Sequence, residues 1–261
     1  MDGQQSTMNR PPGNPAPALS VVVPMHDEAD NASPLVAEIV AALRGRLAFE
    51  IVCVDDASRD GTAERLAALA GEVPELRVLA HAGQCGQSTA LRTGIGAARG
   101  AWIATLDGDG QNDPADIPLL LAERERAGPG LGLVAGWRTT RRDTPVRRWS
   151  SRIANAVRGR LLRDDCPDTG CALKLFPRQA FLELPAFDHM HRFLPALFRR
   201  EGWQVRNVPV NHRPRLRGRS KYGVANRLWV GLVDLAGVAW LLRRHRATTV
   251  TERTPARETA P

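Results

Sequence analysis

The sequence predicts an α/β protein, a Rossmann-like, mostly parallel β-sheet flanked by helices, with amphipathic C-terminal helices. Three observations carry this prediction. Continuous apolar runs such as Leu19-Ser-Val-Val-Val and Phe49-Glu-Ile-Val-Cys-Val have the pattern of strands covered on both faces. Segments with apolar residues at helical spacing lie between the runs. The runs end in loops rich in Asp, Ser and Gly, where turns are expected.

The elements follow in order. Residues 1–18 are rich in Pro, Gly, Gln and Asn without periodicity and are expected to be disordered, as are residues 246–261. The first strand begins at Leu19 and should stop at Pro24. Asn31 or Ser33 can cap the helix that follows, with Pro34 in its first turn and Leu35, Val36, Ile39, Val40 and Leu43 as its apolar stripe. Phe49 to Val54 is the second strand and Thr62 to Ala70 the second helix. Leu76 to Leu79 is a short strand, Ser88 to Arg99 a helix, and Trp102 to Leu106 the strand that leads into an acidic loop. Leu228 to Leu242 is an apolar helix followed by Arg243, Arg244 and Arg246. The domain is thus expected over residues 19–225, with an amphipathic helix over 226–245.

Composition narrows the function. A chain of 261 residues can bury a real core as one domain. Four cysteines at irregular spacing form neither a disulfide framework nor a zinc site, which fits a reducing, cytoplasmic compartment. No basic segment leading into an apolar one opens the chain, so no secretory signal is expected. The stretch from Leu228 to Leu242 would reach only about 22 Å as a helix and carries Asp234, too short to span a membrane. The net charge of +8 calls for an anionic partner: nucleic acid, a phosphorylated substrate or an acidic lipid surface. The cations are almost all arginine, with Lys174 and Lys221 the only lysines.

The most informative stretch is Trp102-Ile-Ala-Thr-Leu-Asp-Gly-Asp-Gly-Gln-Asn-Asp-Pro114, in which an apolar run ends in Asp107 and Asp109, one glycine apart. Carboxylates so spaced suit a hard divalent cation that keeps positions open for phosphate oxygens. A turn that only punctuates the strand end is the plain alternative. Two other predicted strands also end in acidic segments, Pro24 to Glu28 and Asp55-Asp56-Ala-Ser58, and ligands of open α/β sheets bind at the carboxyl ends of strands. No Gly-x-Gly-x-x-Gly follows the first strand and no Gly-Lys-Ser/Thr loop occurs, which disfavours dinucleotide and P-loop folds.

Eight motifs then occur in one order. They are Val-Val-Pro24-Met-His-Asp-Glu28; Asp55-Asp56-Ala-Ser58-Arg-Asp60-Gly61-Thr62; Gly86-x3-Ala90-x3-Gly94-x3-Ala98-x-Gly100; and Asp107-Gly-Asp109-Gly-Gln111-Asn-Asp-Pro114. Gly136-Trp-Arg138, Ser151-Arg152-x-x-Asn155, Asp168-Thr-Gly170-Cys-Ala-Leu-Lys174 and Arg215-Leu-Arg-Gly218-Arg-Ser220-Lys221-Tyr222 complete the set. Over residues 19–225 the chain resembles a family 2 glycosyltransferase of the GT-A fold, and more narrowly the polyprenyl-phosphate group that includes dolichol-phosphate mannosyltransferase. The resemblance implies that Pro24, Glu28, Asp55, Asp56 and Gln84, with Asp107, bind the donor nucleotide. It implies that Asp107, Asp109 and Gln111 hold Mg2+ or Mn2+ against the donor diphosphate. Arg138, Arg152, Arg215, Ser220 and Lys221 would face the acceptor phosphate, and Asp109, Asp168 and Arg215 would take part in catalysis. Gln84, where the family often has Asn, and the Asp-Gly-Asp turn, where it often has Asp-Ala-Asp, are departures that leave every metal ligand in place.

The implied reaction is inverting transfer of a sugar from a nucleotide-diphosphate donor, GDP-mannose or a UDP-sugar, to a polyprenyl phosphate at the cytoplasmic face of a membrane. An acceptor phosphate, with a second pKa of about 6, needs no strong base, so Asp168 need only orient it or take a proton from its monoanion. Two alternatives stay open: transfer to a carbohydrate hydroxyl in cell-envelope polysaccharide or lipopolysaccharide synthesis, and a non-catalytic nucleotide or anionic-lipid binding module. From Arg138 to Arg163, nine arginines accompany Ile153, Val157 and Leu161 at helical spacing, a basic amphipathic segment suited to a lipid interface or simply a solvated face. The basic loop from His212 to Tyr222 lacks the aromatic interleaving of a nucleic-acid site, so no nucleic-acid partner is expected. The C-terminal helix either docks on the sheet or lies at the membrane, where contact is peripheral or through a membrane-protein partner.

Overall fold

The computed structural model describes residues 16–139, 158–162, 164–214, 224–244 and 246. Four of the expected site residues, Arg152, Arg215, Ser220 and Lys221, lie outside the described residues, as do most of both predicted tails.

Seven strands form one sheet: β1 Leu19–Met25, β2 Phe49–Asp55, β3 Leu76–Ala80, β4 Trp102–Thr105, β5 Leu131–Arg138, β6 Lys174–Pro177 and β7 Gln204–Val210. Their spatial order is β3-β2-β1-β4-β6-β5-β7. All adjacent pairs are parallel except those made by β6, which runs antiparallel to both β4 and β5. Helices α1 Ala29–Leu43, α2 Thr62–Glu72, α3 Gln87–Ala97 and α4 Ile117–Ala127 connect the first five strands. Strands β5 to β7 and α4 are not among the elements expected from sequence. β6 has only four residues, and β7, Gln-Val-Arg-Asn-Val-Pro-Val, is a polar edge strand whose Pro209 is tolerated at an edge.

Successive strand residues face opposite sides, so β1 feeds two cores. Leu19, Val21 and Val23 pack with Leu35, Val36 and Ile39 of α1, while Val22 packs with Val52, Val54 and Ala90, Leu91 and Ile95 of α3 on the other face. The small residues of the third motif explain the closeness of α3. A Cβ at Gly94 would sit 2.5 Å from Val22 Cγ1 and 3.0 Å from Val54 Cγ2.

Three local expectations are corrected. Pro24 does not stop β1, which runs on to Met25. Leu106 N donates to Val22 O, so Pro24, two residues on, also faces β4, beyond the last paired residue, where no ladder partner needs its N–H. Helix α1 starts at Ala29, ahead of Asn31 and Ser33, and Pro34 lies inside it rather than in its first turn. Its first donors are satisfied across space, Glu28 N by Thr62 Oγ1 at 2.9 Å and Ala29 N by Asp60 Oδ2 at 3.1 Å, so no local cap is required.

The last helix begins at Val224 rather than 226 and runs to Arg244. It docks on the domain, one of the two expected placements, and leaves part of its apolar surface exposed. Val238 and Ala239 are buried in the α3-side core, His189 Nδ1 lies 2.9 Å from Asp234 Oδ2, and Leu232, Val233 and Trp240 are exposed. No described helix is long and apolar enough to cross a membrane.

Two glycines of α3 should respond oppositely to alanine. Gly94→Ala overpacks the α3–sheet contact at a cost of about 1–3 kcal/mol, more than the gain in helix propensity of up to ~1 kcal/mol. Gly96, which has nothing within 4 Å of its Cβ position, gains that propensity without a clash. Urea unfolding of the two variants checks this; equal destabilisation would contradict the packing account.

Candidate active site

The carboxyl ends of β1, β2 and β4 lie side by side, and the acidic segments that end them meet there. Asp55 and Asp56 close β2 almost fully buried, at 3% and 4% exposure, so each must be hydrogen-bonded. Asp55 accepts from the Ser58 hydroxyl and, at 3.3 Å, from Ser58 N, which folds the turn after β2. Ser58 Oγ in turn accepts from Asp27 N at 2.9 Å, and Asp27 Oδ1 accepts from Arg59 N at 2.7 Å. These crossed bonds hold Asp27 and Ala57 in the left-handed region, with φ of 49° and 57°.

Asp56 braces a different segment. Its Oδ1 is 2.7 Å from His81 Nδ1 and accepts from Cys85 N at 2.8 Å, while its Oδ2 accepts from Gly86 N at 2.8 Å. Burial acts to raise its pKa, but the bonds from His81, Cys85 and Gly86 prevail and hold it below the ordinary carboxylate value. His81 Nε2 also lies 3.0 Å from Thr93 Oγ1. Asp56, His81 and Cys85 bring ligand atoms within 4.8 Å of one another, yet the direct bond between Asp56 and His81 makes the trio a brace. The braced loop, which carries the exposed Gln84, leads into α3.

The first residue of α3, Gln87, reaches the acidic turn and donates to Asp107 Oδ1 at 2.7 Å. Asp107 is pushed up to about 6, first by burial and then by the charge of Asp109, against the opposing pull of Lys174 and Arg138. A buried carboxylate raised by the charge of its neighbour is relieved by a cation that both can share, so the donor set fits Mg2+ or Mn2+. Gly108 is required for this geometry because a Cβ there would lie 3.0 Å from Pro24 O and 3.1 Å from Met25 Cγ. Asp109 Oδ1 accepts from Gln111 N at 3.1 Å. The Gln111 amide nitrogen donates to Arg213 O at 3.3 Å, so its carbonyl oxygen is the atom it can offer a cation. Arg213, itself bonded to Glu38 and Asp113, anchors this loop.

Other expected residues take more local parts. Pro24 lies in β1 with its carbonyl against Gly108. Glu28 occupies the N-cap position of α1 without capping it by its side chain; its Oε2 instead accepts from Asn31 Nδ2 at 2.6 Å. Arg138 ends β5 and grips Asp168 bidentately, Nε to Oδ2 at 2.6 Å and Nη2 to Oδ1 at 2.8 Å. Burial works to lower the Arg138 pKa, but Asp168 outweighs it and keeps the guanidinium charged. Gly170 suits the fit, since a Cβ would meet Arg138 Nη2 at 3.2 Å.

Sequence reasoning gave no role to His81, Gln87, His191, Arg192 and Lys174. Lys174 carried the one usable signal, a lysine in a chain of arginines. Its register does the rest: Lys174 pairs with Thr105, the last residue of β4, two residues before Asp107. With Gln87, Asp107, Thr169, His191 and Arg192 it lines a pocket of about 190 Å³ beside the acidic turn.

Known proteins can now be set beside this geometry. The sequence profile described as "Glycosyl transferase family 2" matches residues 20–184. The dodecaprenyl-phosphate galacturonate synthase of Rhizobium johnstonii is 36% identical over 236 residues, covering 86% of this chain and 67% of that protein. The undecaprenyl-phosphate 4-deoxy-4-formamido-L-arabinose transferase of Pseudomonas paraeruginosa is 38% identical over 225 residues, covering 85% of this chain and 65% of the relative. The chain thus spans about two thirds of the length of these curated relatives.

Among solved structures, a mannosyltransferase from Pyrobaculum calidifontis in complex with GDP-Man and Mn2+ superposes with a TM-score of 0.63 at 21% identity, covering 89% of this chain and 66% of that one. Glucosyl-3-phosphoglycerate synthase from Mycobacterium tuberculosis, in complex with Mn2+, UDP and phosphoglyceric acid, gives 0.65 at 19% identity, covering 89% and 80%. These neighbours share the GT-A fold, with its mostly parallel sheet between helices. A family match over more than half of the sequence, joined to relatives of this identity and extent, means that the chain belongs to glycosyl transferase family 2.

Proposed function

We propose that the protein transfers a sugar, with inversion, from a nucleotide-diphosphate donor to a polyprenyl phosphate at a membrane surface. The observation that carries the reading is the mutually charged Asp107–Asp109 pair at the sheet edge, in a family member whose curated relatives are named for polyprenyl-phosphate acceptors. Their donor sugars, galacturonate and 4-deoxy-4-formamido-L-arabinose by name, differ, so the sugar is not inherited from the comparison.

Asp107 and Asp109, with the Gln111 oxygen, are the residues that would hold Mg2+ or Mn2+. Such an ion neutralises the charge that grows on the departing nucleotide diphosphate. The loops braced by Asp55 and Asp56 form the wall for base and ribose, with Pro24, Glu28 and Gln84 at its edge. Gln87 orients Asp107. Arg138, held flat by Asp168, is presented toward the acceptor phosphate, and Arg152, Arg215, Ser220 and Lys221 are assigned to the same task by motif alone. Because the acceptor oxygen is already anionic, Asp168 serves as a positioning group for Arg138 and not as an obligatory base. The exposed Leu232, Val233 and Trp240, with Arg243 and Arg244 in the last turn, suit peripheral contact with an anionic membrane on its cytoplasmic face.

The direct test incubates the pure protein with labelled nucleotide sugars, undecaprenyl phosphate and Mn2+, and measures label extracted into organic solvent. Transfer is expected, with loss on EDTA treatment, and Asp109→Asn should lower it by about 100-fold or more, since a metal ligand accounts for several kcal/mol. Lipid labelling that is absent with every donor would sink the proposal.

Metal affinity should follow the Asp107 carboxyl, whose pKa stands near 6. Only the deprotonated form binds, so lowering the pH from 7.5 to 5 should weaken Mn2+ binding to the protein by about tenfold. Paramagnetic resonance titration of free Mn2+ measures it, and a flat profile would exclude Asp107 as a ligand.

For Asp168→Asn, the KM for polyprenyl phosphate should rise several-fold more than kcat falls, because Arg138 loses its clamp. A near-complete loss of kcat at unchanged KM would point instead to a base acting on a hydroxyl acceptor.

A further inference from the structure

The pocket beside the acidic turn holds about 190 Å³, somewhat more than the ~150 Å³ of a cavity that admits a benzene ring. That is room for one monosaccharide ring. Gln87 and Asp107 reach it from the site already described, and Leu91, Leu106 and Leu194 supply apolar wall of the kind a sugar ring face packs on. Lys174 and Arg192 bring two cations.

Among the described residues neither cation is held in a salt bridge, and the one carboxylate that shares the pocket with them, Asp107, feels the charge of Lys174 without contacting it. Lys174 is only 3% exposed, and its ammonium donates to two neutral carbonyls, those of Thr169 at 3.3 Å and of Cys171. Arg138, Arg158 and Arg213 each hold a carboxylate, whereas among the described residues none lies within ion-pair distance of Lys174 or Arg192. Two cations set against the single carboxylate of Asp107 leave this pocket with an excess of positive charge, which is costly when buried and suits an anionic guest. His191 reports the same field: its pKa is lowered to about 3, first by burial and then by Lys174 and Arg192, which leaves a neutral imidazole 2.8 Å from Ser88 Oγ.

We infer that this pocket is the sugar subsite of the donor and takes a uronic acid, whose carboxylate meets the Lys174 ammonium and the Arg192 guanidinium. The inference rests on the glycosyl-transfer reading above. The donor diphosphate is claimed by the Asp107–Asp109 turn, and Asp107 belongs to both turn and pocket, so a ring leaving the diphosphate enters the pocket directly. An ionised carboxylate here forms charge-assisted bonds that a hydroxymethyl group cannot, and a site with such partners discriminates strongly against the analogue that lacks them.

The test compares UDP-galacturonate, UDP-glucuronate and GDP-mannuronate with UDP-galactose, UDP-glucose and GDP-mannose as donors to undecaprenyl phosphate. At least one uronate should exceed its neutral counterpart by about 30-fold or more in kcat/KM. In Lys174→Met and in Arg192→Gln this ratio should fall to within about threefold of one, through the donor KM. Calorimetric titration with UDP and Mn2+ identifies a variant that has lost its fold, and Arg192, half-buried, carries the test if the Lys174 variant does not fold. Equal or better transfer of the neutral sugars overturns the inference and leaves the glycosyl-transfer reading intact. A rise in the KM for polyprenyl phosphate with donor selectivity unchanged also overturns it, assigning the cations to the acceptor phosphate. Silence with all donors overturns both readings.

Discussion

The Asp56 carboxylate is the interaction on which the site depends. At the end of a strand buried on both faces, it must find hydrogen-bond donors, and it takes them from His81, Cys85 and Gly86, more than twenty residues away. That choice fixes the loop before α3, and the loop fixes where α3 begins. Gln87, the first residue of the helix, therefore stands against Asp107. A buried acid at one strand end thus orients a carboxylate at the end of another, with β1 between them.

The same economy appears around the other strand ends. Asp60 and Thr62 supply the cap that α1 lacks, while Ser58 joins Asp55 to Asp27. Polar side chains in this region bond across the β1 and β2 loops as well as within them, which makes those loops one rigid wall. Rigidity is what a metal-assisted displacement asks of its surroundings, since stabilising groups that are already aimed cost no reorganisation when charge develops. The acidic turn itself is tight against β1, with Gly108 over Pro24 O, so its two carboxylates cannot drift apart to relieve their repulsion.

The C-terminal half adds charge of the opposite sign. β6 runs against the direction of the other strands, and its register sets Lys174 beside the end of β4. Arg138 comes to the same edge from β5 and is neutralised by Asp168, whereas among the described residues Lys174 and Arg192 hold no carboxylate in a salt bridge. Anionic turn, paired arginine and the two pocket cations form a graded field along this edge. This arrangement suits a donor that is negative at its diphosphate and an acceptor that is negative at its phosphate head.

The first four strands, the helices between them and the acidic turn were legible in the sequence because each rests on a local rule: a buried strand must be apolar throughout, a docked helix must carry a stripe, and Asp and Gly residues that follow an apolar run make a turn. Motif order extended this to the family. Where α1 is capped, which partner Asp56 takes, that Arg138 and Asp168 hold each other, and that Lys174 reaches the acidic turn were decided only by tertiary structure. These contacts join residues 20 to 35 positions apart in the first three cases and 69 in the last, and nothing in the local pattern encodes a partner at that distance. The reason is physical: a buried polar group must be satisfied, but burial is a property of the folded chain, and only folding determines which donors stand within reach.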